Sequence, residues 1–281
     1  MDEDKIKTSS IKDLKMFITS SGLHFRDCVT KSDLRTRAME ALKKKTENTK
    51  GEIKAYPCKI MGDVSKPADL VILFFHGYGA TADNFAPLSN VIGVPGKNVL
   101  WVFPQAPSDP APQWFPLDVN KMAMAMMSGP DIQAKMIREV PAGIDKSMKR
   151  ANQLVSEILS KFNVESSKLC IAGFSQGAVM AITTALCAIE KPCAGLVACS
   201  PYPCMVDHWK KNASTTHNKT KVFLSHGKSD MLIPFFTSAW VHQVFQEAKS
   251  DITYTPHPGS HAVGDGDTFK AISVFLSKLM G

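Results

Sequence analysis

Three side chains of this sequence could together carry out nucleophilic catalysis: Ser175, Asp230 and His261. A serine hydroxyl is a weak nucleophile until a base removes its proton. A histidine serves best as that base when a carboxylate fixes its tautomer. Ser175 is at the centre of Gly173-Phe174-Ser175-Gln176-Gly177, which matches the pattern G-x-S-x-G. This pattern predicts a nucleophilic serine at the tip of a sharp turn.

The residues around this motif predict a strand that turns directly into a helix. Residues 168–172 form a short apolar run, and residues 178–189 are rich in helix formers. A side chain two residues before or after the serine would collide with such a turn, so glycine is expected at both places. The amides at the start of the helix favour an anion beside Ser175. A tight glycine turn capped by a serine is the alternative interpretation.

The acid and the base must come from residues downstream of the serine. The chain order Ser, Asp, His is typical of α/β hydrolases. Asp230 follows a strand-like run, whereas Asp207 and Asp251 are less favourably placed. His261 follows a glycine and precedes a predicted helix, which favours it over His257. We therefore expect Asp230 and His261 to act with the serine.

A loop after an early strand is expected to complete the site. Residues 69–75 are a continuous apolar run of strand length, and His76-Gly77-Tyr78-Gly79-Ala80 follows it. In this type of site one oxyanion donor comes from such a loop and the other from the residue after the nucleophile. The backbone amides of Tyr78 and Gln176 are the predicted donors. His76 is interpreted as a structural residue whose ring holds the loop.

Strands and helices alternate along the remaining chain. Strands are predicted at residues 53–60, 69–75, 99–103, 168–172, 195–200, 221–225 and 252–255. Helices are predicted at 144–162, 178–189, 235–248 and 269–279. This alternation predicts an α/β fold with a mostly parallel central sheet and helices on both faces. Chemistry in such sheets lies at the carboxyl ends of the strands.

Residues 108–141 form a long segment rich in proline and methionine, without a clean period. Such segments are usually functional or mobile. Methionine is flexible and polarisable, which suits a groove for lipid-like chains. Trp114, Phe115, Met122 and Met124 are the predicted substrate-binding residues. Alternatively, the methionines only fill gaps beneath a loop.

The chain is expected to contain two parts. Its 281 residues can hold one large α/β domain with an appendage. Residues 48–52 are a plausible linker, so a helical module is predicted at 1–50 and a catalytic domain at 51–281. The net charge is +7, and residues 1–50 contribute +4 of it, from twelve Lys/Arg and eight Asp/Glu. This distribution indicates a basic N-terminal segment.

Residues 9–48 are expected to form two helices joined by a short turn. Ser10 can cap the first helix, with Asp13 at the capping-box position. Ser32 is the predicted cap of the second helix, which is expected to end in Lys43-Lys44-Lys45. Both apolar stripes are narrow, so a core built from this pair alone would be small.

The cysteines and the N-terminal residues bear on localisation. Seven is an odd number of cysteines, and residues 1–5 are too polar for a secretory signal. No stretch approaches membrane-spanning length. We therefore expect free thiols, a cytoplasmic location and at most peripheral membrane contact. The sequons at 212–214 and 218–220 are interpreted as polar loop.

The N-terminal segment resembles the helix-extended-helix module called the SAP-like domain. The resemblance spans residues 9–47 and rests on the runs at 10–15, 21–23 and 28–34. Such modules bind DNA in some proteins and other proteins in others. The resemblance therefore implies a possible protein partner. A helical hairpin that only extends the enzyme is the alternative, and nucleic-acid binding is less favoured than either.

Six motifs in the rest of the chain, taken in order, resemble the acyl-protein thioesterase and carboxylesterase family, also described as lysophospholipases. They are residues 76–79, 104–107, 114–115, 173–178, 226–230 and 259–261. The resemblance covers residues 54–281. It implies an α/β-hydrolase fold without cofactor or metal, and cleavage of fatty-acyl thioesters or esters, as in S-depalmitoylation. The implied substrate is an acylated protein or a lipid ester.

Two positions depart from the family pattern. Tyr78 replaces the usual leucine, which should alter the pocket but leave the backbone donor intact. Ala80 replaces the usual acidic residue. The alternatives are a general carboxylesterase or a lysophospholipase acting on small esters or lysolipids. A hydrolase scaffold that only binds partners is the alternative that is not an enzyme.

Overall fold

The computed structural model describes residues 3–21, 23–49 and 52–281. Gly22 and two residues of the expected linker, Lys50 and Gly51, lie outside this part of the chain. Contacts divide the chain into two units, with the boundary between Glu52 and Ile53. The sequence placed the boundary between residues 50 and 51. Each unit has its own apolar core.

The N-terminal unit consists of three helices: α1 (Glu3–Thr8), α2 (Ile11–Ser20) and α3 (Lys31–Thr49). The short helix α1 was not predicted. All three helices contribute to one small core, formed by Ile6, Leu14, Phe17, Ile18, Leu34, Ala38 and Ala41. Ile6 lies on α1, so this unpredicted helix enlarges the core beyond what two helices could bury.

The capping residues of the N-terminal unit are only partly as predicted. The Oγ atom of Ser10 accepts a hydrogen bond from the amide of Asp13 at 3.2 Å, which confirms the cap of α2. The predicted cap at Ser32 is wrong. Thr30 caps α3 instead: its Oγ1 accepts from the amide of Asp33 at 3.1 Å, and the Asp33 carboxylate accepts from the amide of Thr30 at 2.7 Å. Helix α3 continues to Thr49, past the lysine run and into the expected linker.

The catalytic unit is built on a seven-stranded sheet. Its strands are β1 (Cys58–Met61), β2 (Leu70–Phe75), β3 (Val99–Pro104), β4 (Leu169–Phe174), β5 (Gly195–Cys199), β6 (Lys221–Ser225) and β7 (Ile252–Tyr254). Their order is β1-β3-β2-β4-β5-β6-β7. Strand β1 pairs with β3 in antiparallel direction, and all other pairs are parallel. The first strand lies at the edge of the sheet and begins directly after Pro57. Proline has no N–H to donate to a central ladder, so an edge strand is where it is tolerated.

Helices cover both faces of this sheet. They are α4 (Ala82–Phe85), α5 (Leu88–Val91), α6 (Val119–Met126), α7 (Pro130–Met136), α8 (Ile144–Phe162), α9 (Gln176–Thr183), α10 (Val206–Ser214), α11 (Thr237–Glu247) and α12 (Gly266–Leu279). Alternate residues of β2 enter two separate cores. Val71 packs with residues of α8 and α9 on one face, and Ile72 packs with residues of α12 on the other. Such two-sided burial explains the continuous apolar runs of the parallel strands. This is the α/β-hydrolase fold.

Three segments differ from their sequence predictions. Residues 108–141, expected to be irregular, contain α6 and α7. The helix expected at 178–189 is shorter as an α-helix and continues as a π-helical turn at Thr184–Ala188. Helix α10 includes the first sequon, which was interpreted as loop. None of the helices in the described part of the chain combines the length and the apolar character needed to span a bilayer.

Candidate active site

Ser175 is located where β4 turns into α9, in a conformation that serine rarely adopts. Its φ is 56° and its ψ is −122°. A Cβ atom on Gly173 would lie 2.1 Å from the carbonyl oxygen of Gly177, and one on Gly177 would lie 2.1 Å from the carbonyl oxygen of Phe75. Both contacts are with backbone, which cannot move aside. Glycine at these positions therefore lets the strand, the turn and the helix approach each other.

Asp230 and His261 meet on neighbouring loops at the carboxyl end of the sheet. The Nδ1–H of His261 donates to Oδ2 of Asp230 at 2.7 Å. The amides of Leu232 and Ile233 donate to Oδ1 of the same carboxylate at 3.0 and 2.8 Å. The imidazole of His261 packs against Phe174, with ring centroids 4.7 Å apart. His261, the predicted base, is thus adjacent to the serine turn, with its Nδ1 proton directed at Asp230, the predicted acid.

The carboxyl group of Asp230 is held in its ionised form. Burial alone would raise its pKa. Hydrogen bonds from the imidazoles of His226 and His261 and from the amide of Ile233 outweigh this effect. The pKa of Asp230 therefore lies well below its ordinary value, and the carboxylate can orient and stabilise an imidazolium without taking its proton.

The loops that carry the acid and the base are joined by backbone hydrogen bonds. The amide of Lys228 donates to the carbonyl oxygen of His257 at 2.8 Å, and the amide of Ser229 donates to that of Gly259 at 3.1 Å. A third bond runs from the amide of His257 to the carbonyl oxygen of His226 at 3.0 Å. These bonds extend the pairing of β6 and β7 beyond the strand ends and set the distance between acid and base.

The loop after β2 lies against the serine. A Cβ atom on Gly77 would be 3.5 Å from Cβ of Ser175, so Tyr78, the next residue, is beside the nucleophile. Gln176 follows the serine as the first residue of α9. The two predicted oxyanion donors, the amides of Tyr78 and Gln176, therefore belong to segments that flank Ser175 on different elements.

The ring of His76 holds this loop, in agreement with the prediction that His76 is a structural residue. Its Nδ1–H donates to the carbonyl oxygen of Gly77 at 2.8 Å, and its Nε2 accepts from the amide of Ala106 at 3.1 Å. The indole of Trp114 donates to the carbonyl oxygen of His76 at 2.7 Å. Burial lowers the pKa of His76, although its bond to Gly77 acts in the opposite direction. The neutral ring is a structural tie, which confirms the interpretation.

The side chain of Gln176 ties a second segment to the serine turn. Its Oε1 accepts from the amide of Trp114 at 3.0 Å, and its Nε2 donates to the carbonyl oxygen of Phe115 at 2.8 Å. Gln176 is fully buried. The side chain of Gln176 therefore holds residues 114–115, while its backbone amide remains a predicted oxyanion donor.

A groove of about 1160 Å³ opens beside Tyr78. Its apolar lining includes Pro116, Leu117, Met122, Ala125, Ile132, Met136, Tyr202 and Cys204. Charged residues, Lys121, Lys135, Asp118 and Glu139, also line it. Most of this wall comes from the segment of α6 and α7. A mostly apolar concave surface of this size can bind an acyl chain.

Only one of the four predicted substrate-binding residues lies in this groove. Met122 lines it. Trp114 and Phe115 are buried and do not line it, because they pack in the core against β2 and the residues around it. Met124 is 72% exposed and does not line the groove. The lining of this groove therefore includes Met122 and not Trp114, Phe115 or Met124, whose assignment to substrate contact stays a prediction.

The rival candidates for acid and base lie elsewhere. Asp207 is exposed in the first turn of α10 and pairs with Arg138 at 3.3 Å. Asp251 directly precedes β7 and so lies at the amino-terminal end of the parallel strands, whereas Ser175 follows the carboxyl end of β4. His257 is buried, and the short hydrogen bond to Asp230 is made by His261 instead.

Sequence reasoning missed three contributions to the site. His226 is fully buried beside Asp230, the side chain of Gln176 holds residues 114–115, and Tyr202 and Cys204 line the groove. His226 belongs to the motif that ends in Asp230, so its spacing was visible. The other contributions depend on contacts between segments far apart in the chain and had no local signal.

The fold and this site define the class of protein. A parallel sheet presents a serine on a strand-to-helix turn, and a histidine–aspartate pair occupies loops after two further strands. This is the arrangement of an α/β hydrolase.

Within residues 3–21, 23–49 and 52–281, no three His, Cys, Asp or Glu side chains cluster as metal ligands would.

Comparison with known proteins narrows this class. Residues 58–280 match the Phospholipase/Carboxylesterase family. An acyl-protein thioesterase 1 of Yarrowia lipolytica is 27% identical over 174 residues, which are 58% of this chain and 70% of that protein. An acyl-protein thioesterase 1 of Debaryomyces hansenii is 24% identical over 236 residues, which are 77% of this chain and 94% of that protein. The crystal structure of esterase PE8 is similar in fold, with a TM-score of 0.66, 19% identity, and coverage of 80% of this chain and 99% of that one.

The chain belongs to the Phospholipase/Carboxylesterase family and is a hydrolase of esters or thioesters. The match begins at residue 58 and leaves the N-terminal unit outside. The resemblance of residues 9–47 to a SAP-like domain therefore stays a prediction.

Proposed function

We propose that the protein is a serine hydrolase that removes fatty-acyl groups from thioesters of proteins, and so acts in S-depalmitoylation. The single observation that carries the catalytic part is the 2.7 Å hydrogen bond between His261 and Asp230 beside the strained turn of Ser175. Ser175 is the proposed nucleophile, His261 the general base, and Asp230 the group that orients and stabilises the imidazolium.

The proposed reaction proceeds through an acyl-enzyme. Nε2 of His261 takes the proton of Ser175 Oγ as this oxygen attacks the acyl carbonyl carbon. The amides of Tyr78 and Gln176 then donate to the oxyanion, and each contributes about 2.7–4 kcal/mol if comparable to a measured oxyanion-hole donor. Collapse of the intermediate releases the thiol, which receives the proton from His261. A water deprotonated by His261 then attacks the acyl-enzyme and frees the fatty acid.

Two observations support the fatty-acyl substrate. The groove beside Tyr78 is lined mainly by apolar side chains, including the flexible methionines Met122 and Met136. The two relatives described above are named as acyl-protein thioesterases. The groove supplies the apolar surface that a long acyl chain would bury. A preference for short oxygen esters is the alternative outcome that the experiment distinguishes.

The proposal is tested by measuring kcat/KM from acetyl to palmitoyl on matched thioesters and oxygen esters. Ser175→Ala is the blank, and it should form no acyl-enzyme. Rates that rise with chain length on thioesters would support the fatty-acyl thioester substrate. Rates that are highest on short oxygen esters would identify a general carboxylesterase instead. Near-normal turnover by Ser175→Ala would contradict the whole mechanism.

The location and the partner are also proposals. All seven cysteines are free thiols, which is typical of a reducing compartment and supports a cytoplasmic location. A protein partner for residues 9–47 remains a prediction. A salt-dependent affinity of the full chain for DNA that is lost when residues 9–47 are deleted would identify a nucleic-acid-binding module. No DNA binding at low salt would exclude it and favour a protein partner.

A further inference from the structure

A second histidine lies behind the carboxylate of Asp230. His226 directly follows β6, four residues before Asp230, and its side chain has no exposed surface. The hydrolytic steps proposed above give it no task. A buried polar group is destabilising unless it is hydrogen-bonded, so the partners of this imidazole indicate what it does.

The Nε2 atom of His226 faces two acceptors. It lies 2.8 Å from the carbonyl oxygen of Ile233 and 3.4 Å from Oδ2 of Asp230. Because a carbonyl oxygen can only accept, Nε2 carries the proton and donates it to the carbonyl oxygen of Ile233, while Oδ2 of Asp230 lies within 3.4 Å of the same nitrogen. The ring of Phe235 packs edge-on against the imidazole, with centroids 6.2 Å apart, and limits its rotation.

These contacts complete the hydrogen bonding of the carboxylate. Oδ1 accepts from the amides of Leu232 and Ile233, while Oδ2 accepts from His261 and faces His226. The His226 N–H group is therefore bonded to the turn that supplies the amides and adjoins the oxygen that accepts from His261. We propose that His226 is a positioning residue that fixes Oδ2 of Asp230 in line with His261. This inference rests on the proposed function, in which His261 is the base.

A role in packing alone has different requirements. An apolar side chain of similar volume would fill the same space against Phe235. Only a donor at the position of Nε2 can hold the carboxylate and the turn together. Glutamine carries its amide nitrogen about as far from the backbone as Nε2, whereas the amide of asparagine is one carbon shorter and leucine has no donor. These three replacements of His226 therefore separate the two roles.

The positioning role also predicts a change in pH dependence. Three histidines face Asp230: His226 at the end of β6, His261 in the loop before α12, and His257 in the loop after β7. His257 also interacts with Asp265. Without the donor of His226, the negative charge of the carboxylate acts more strongly on His261 and stabilises its protonated form. The acidic limb of kcat/KM, which reports the free enzyme's base, then moves to higher pH.

The experiment compares His226→Leu with His226→Gln in the full chain, on a short-chain thioester. Active sites are counted by labelling to completion with a fluorophosphonate, and Ser175→Ala is the blank. We expect the leucine variant to lose kcat per labelled site by about 10- to 100-fold, the value for a hydrogen bond to a charged group, with KM nearly unchanged. Its acidic limb should move to higher pH. The glutamine variant should restore kcat to within about threefold of the parent, with the limb at the parent position.

Other results would overturn the proposal. A glutamine variant as impaired per site as the leucine variant, a leucine variant with nearly full kcat, or an acidic limb that stays or moves to lower pH would each do so. If the leucine variant does not fold, His226→Asn replaces it, because its shorter amide fills part of the space without reaching both oxygens. Full turnover by Ser175→Ala would instead contradict the proposed function, so the two failures are distinguishable.

Discussion

At the scale of single residues, Ser175 shows how the site stores an unfavourable conformation. A serine with φ of 56° is strained, and the surrounding structure must hold it. The backbone of β4 and α9 does so because Gly173 and Gly177 allow contacts that a methyl group would block. The position of the Ser175 hydroxyl therefore depends on the absence of a Cβ atom at Gly173 and at Gly177.

This dependence predicts the effect of Gly177→Ala. The new Cβ would lie 2.1 Å from the carbonyl oxygen of Phe75, so β2 or the helix must shift. We expect a loss of about 2–4 kcal/mol in the free energy of unfolding, together with most of the hydrolytic activity. Chemical denaturation and a thioester assay measure the two effects.

Gly93→Ala is the matched control. A Cβ atom on Gly93 meets nothing within 4 Å, so the free energy of unfolding should change by no more than about 0.5 kcal/mol. Equal losses in the two variants would show that a general glycine effect, and not the close approach of the backbone, is responsible.

At the scale of elements, α6 and α7 build most of the wall of the groove. They belong to the segment that was expected to be irregular. Lys121 on α6 lies 3.8 Å from Glu139, just after α7, so the ends of the two helices are linked by charge. The exposed ion pair contributes little free energy. The apolar side chains between the helices therefore determine what the groove binds.

Two methionines on α6 test the role of this wall. Met122 lines the groove, whereas Met124 is 72% exposed on the same helix. We expect Met122→Ser to lower kcat/KM for a palmitoyl thioester by roughly 5- to 30-fold, from the loss of apolar contact, and to leave the acetyl thioester almost unaffected. Met124→Ser should change neither rate. Parallel chain-length series on both variants measure this difference. Equal losses in the two variants would show that the groove does not bind the acyl chain.

At the scale of the whole molecule, the chain is divided into two units with separate cores. Among the described residues, the N-terminal core is formed by Ile6 to Ala41 with Leu42 packed against it, and the cores of the catalytic unit are formed by residues from Ile53 onward. A domain with its own core can fold alone. The fragment 53–281 should therefore hydrolyse a short-chain thioester with kcat/KM within about twofold of the full chain. A fragment that is folded by circular dichroism but inactive would show that the first unit takes part in catalysis.

The whole catalytic unit should lose stability in mild acid. Burial lowers the pKa of four of its histidines: His76, His217, His242 and His257. In the unfolded chain a histidine titrates near 6.5, so below about this pH the unfolded state binds more protons than the folded state. The stabilisation from the neutral rings is fully present above that pH and is lost as the pH falls toward the folded values. We expect Tm to decrease between pH 7 and pH 5.

Tryptophan fluorescence can follow this transition, because all four tryptophans are in the catalytic unit. His217→Gln should reduce the decrease of Tm with falling pH, since it removes one buried imidazole. His208→Gln, at an exposed position on α10, should leave it unchanged. A decrease that is the same in His217→Gln and in the parent protein would contradict this linkage.

The sequence by itself determined the features that depend on neighbouring residues. The continuous apolar runs of β2, β3 and β6 identify strands buried on both faces, and the amphipathic pattern of α8 matches the helix Ile144–Phe162. The turn at Ser175 is local at Gly173, whose Cβ would meet the backbone of Gly177, whereas Gly177 is required by the close approach of β2 at Phe75. The chain order of the candidate acid and base followed from strand ends that the same patterns placed.

Only the tertiary structure decided which side chains meet across long separations. Trp114 and Phe115 are apolar and belong to the segment predicted to bind substrate, but their contacts with β2 place them in the core. His226 is four residues from Asp230, yet its bond to Ile233 and its contact with the carboxylate depend on how the turn closes. Local patterns set φ, ψ and the buried face. The partner of a buried polar group is set by whichever donor or acceptor the packing of distant segments brings within hydrogen-bond distance.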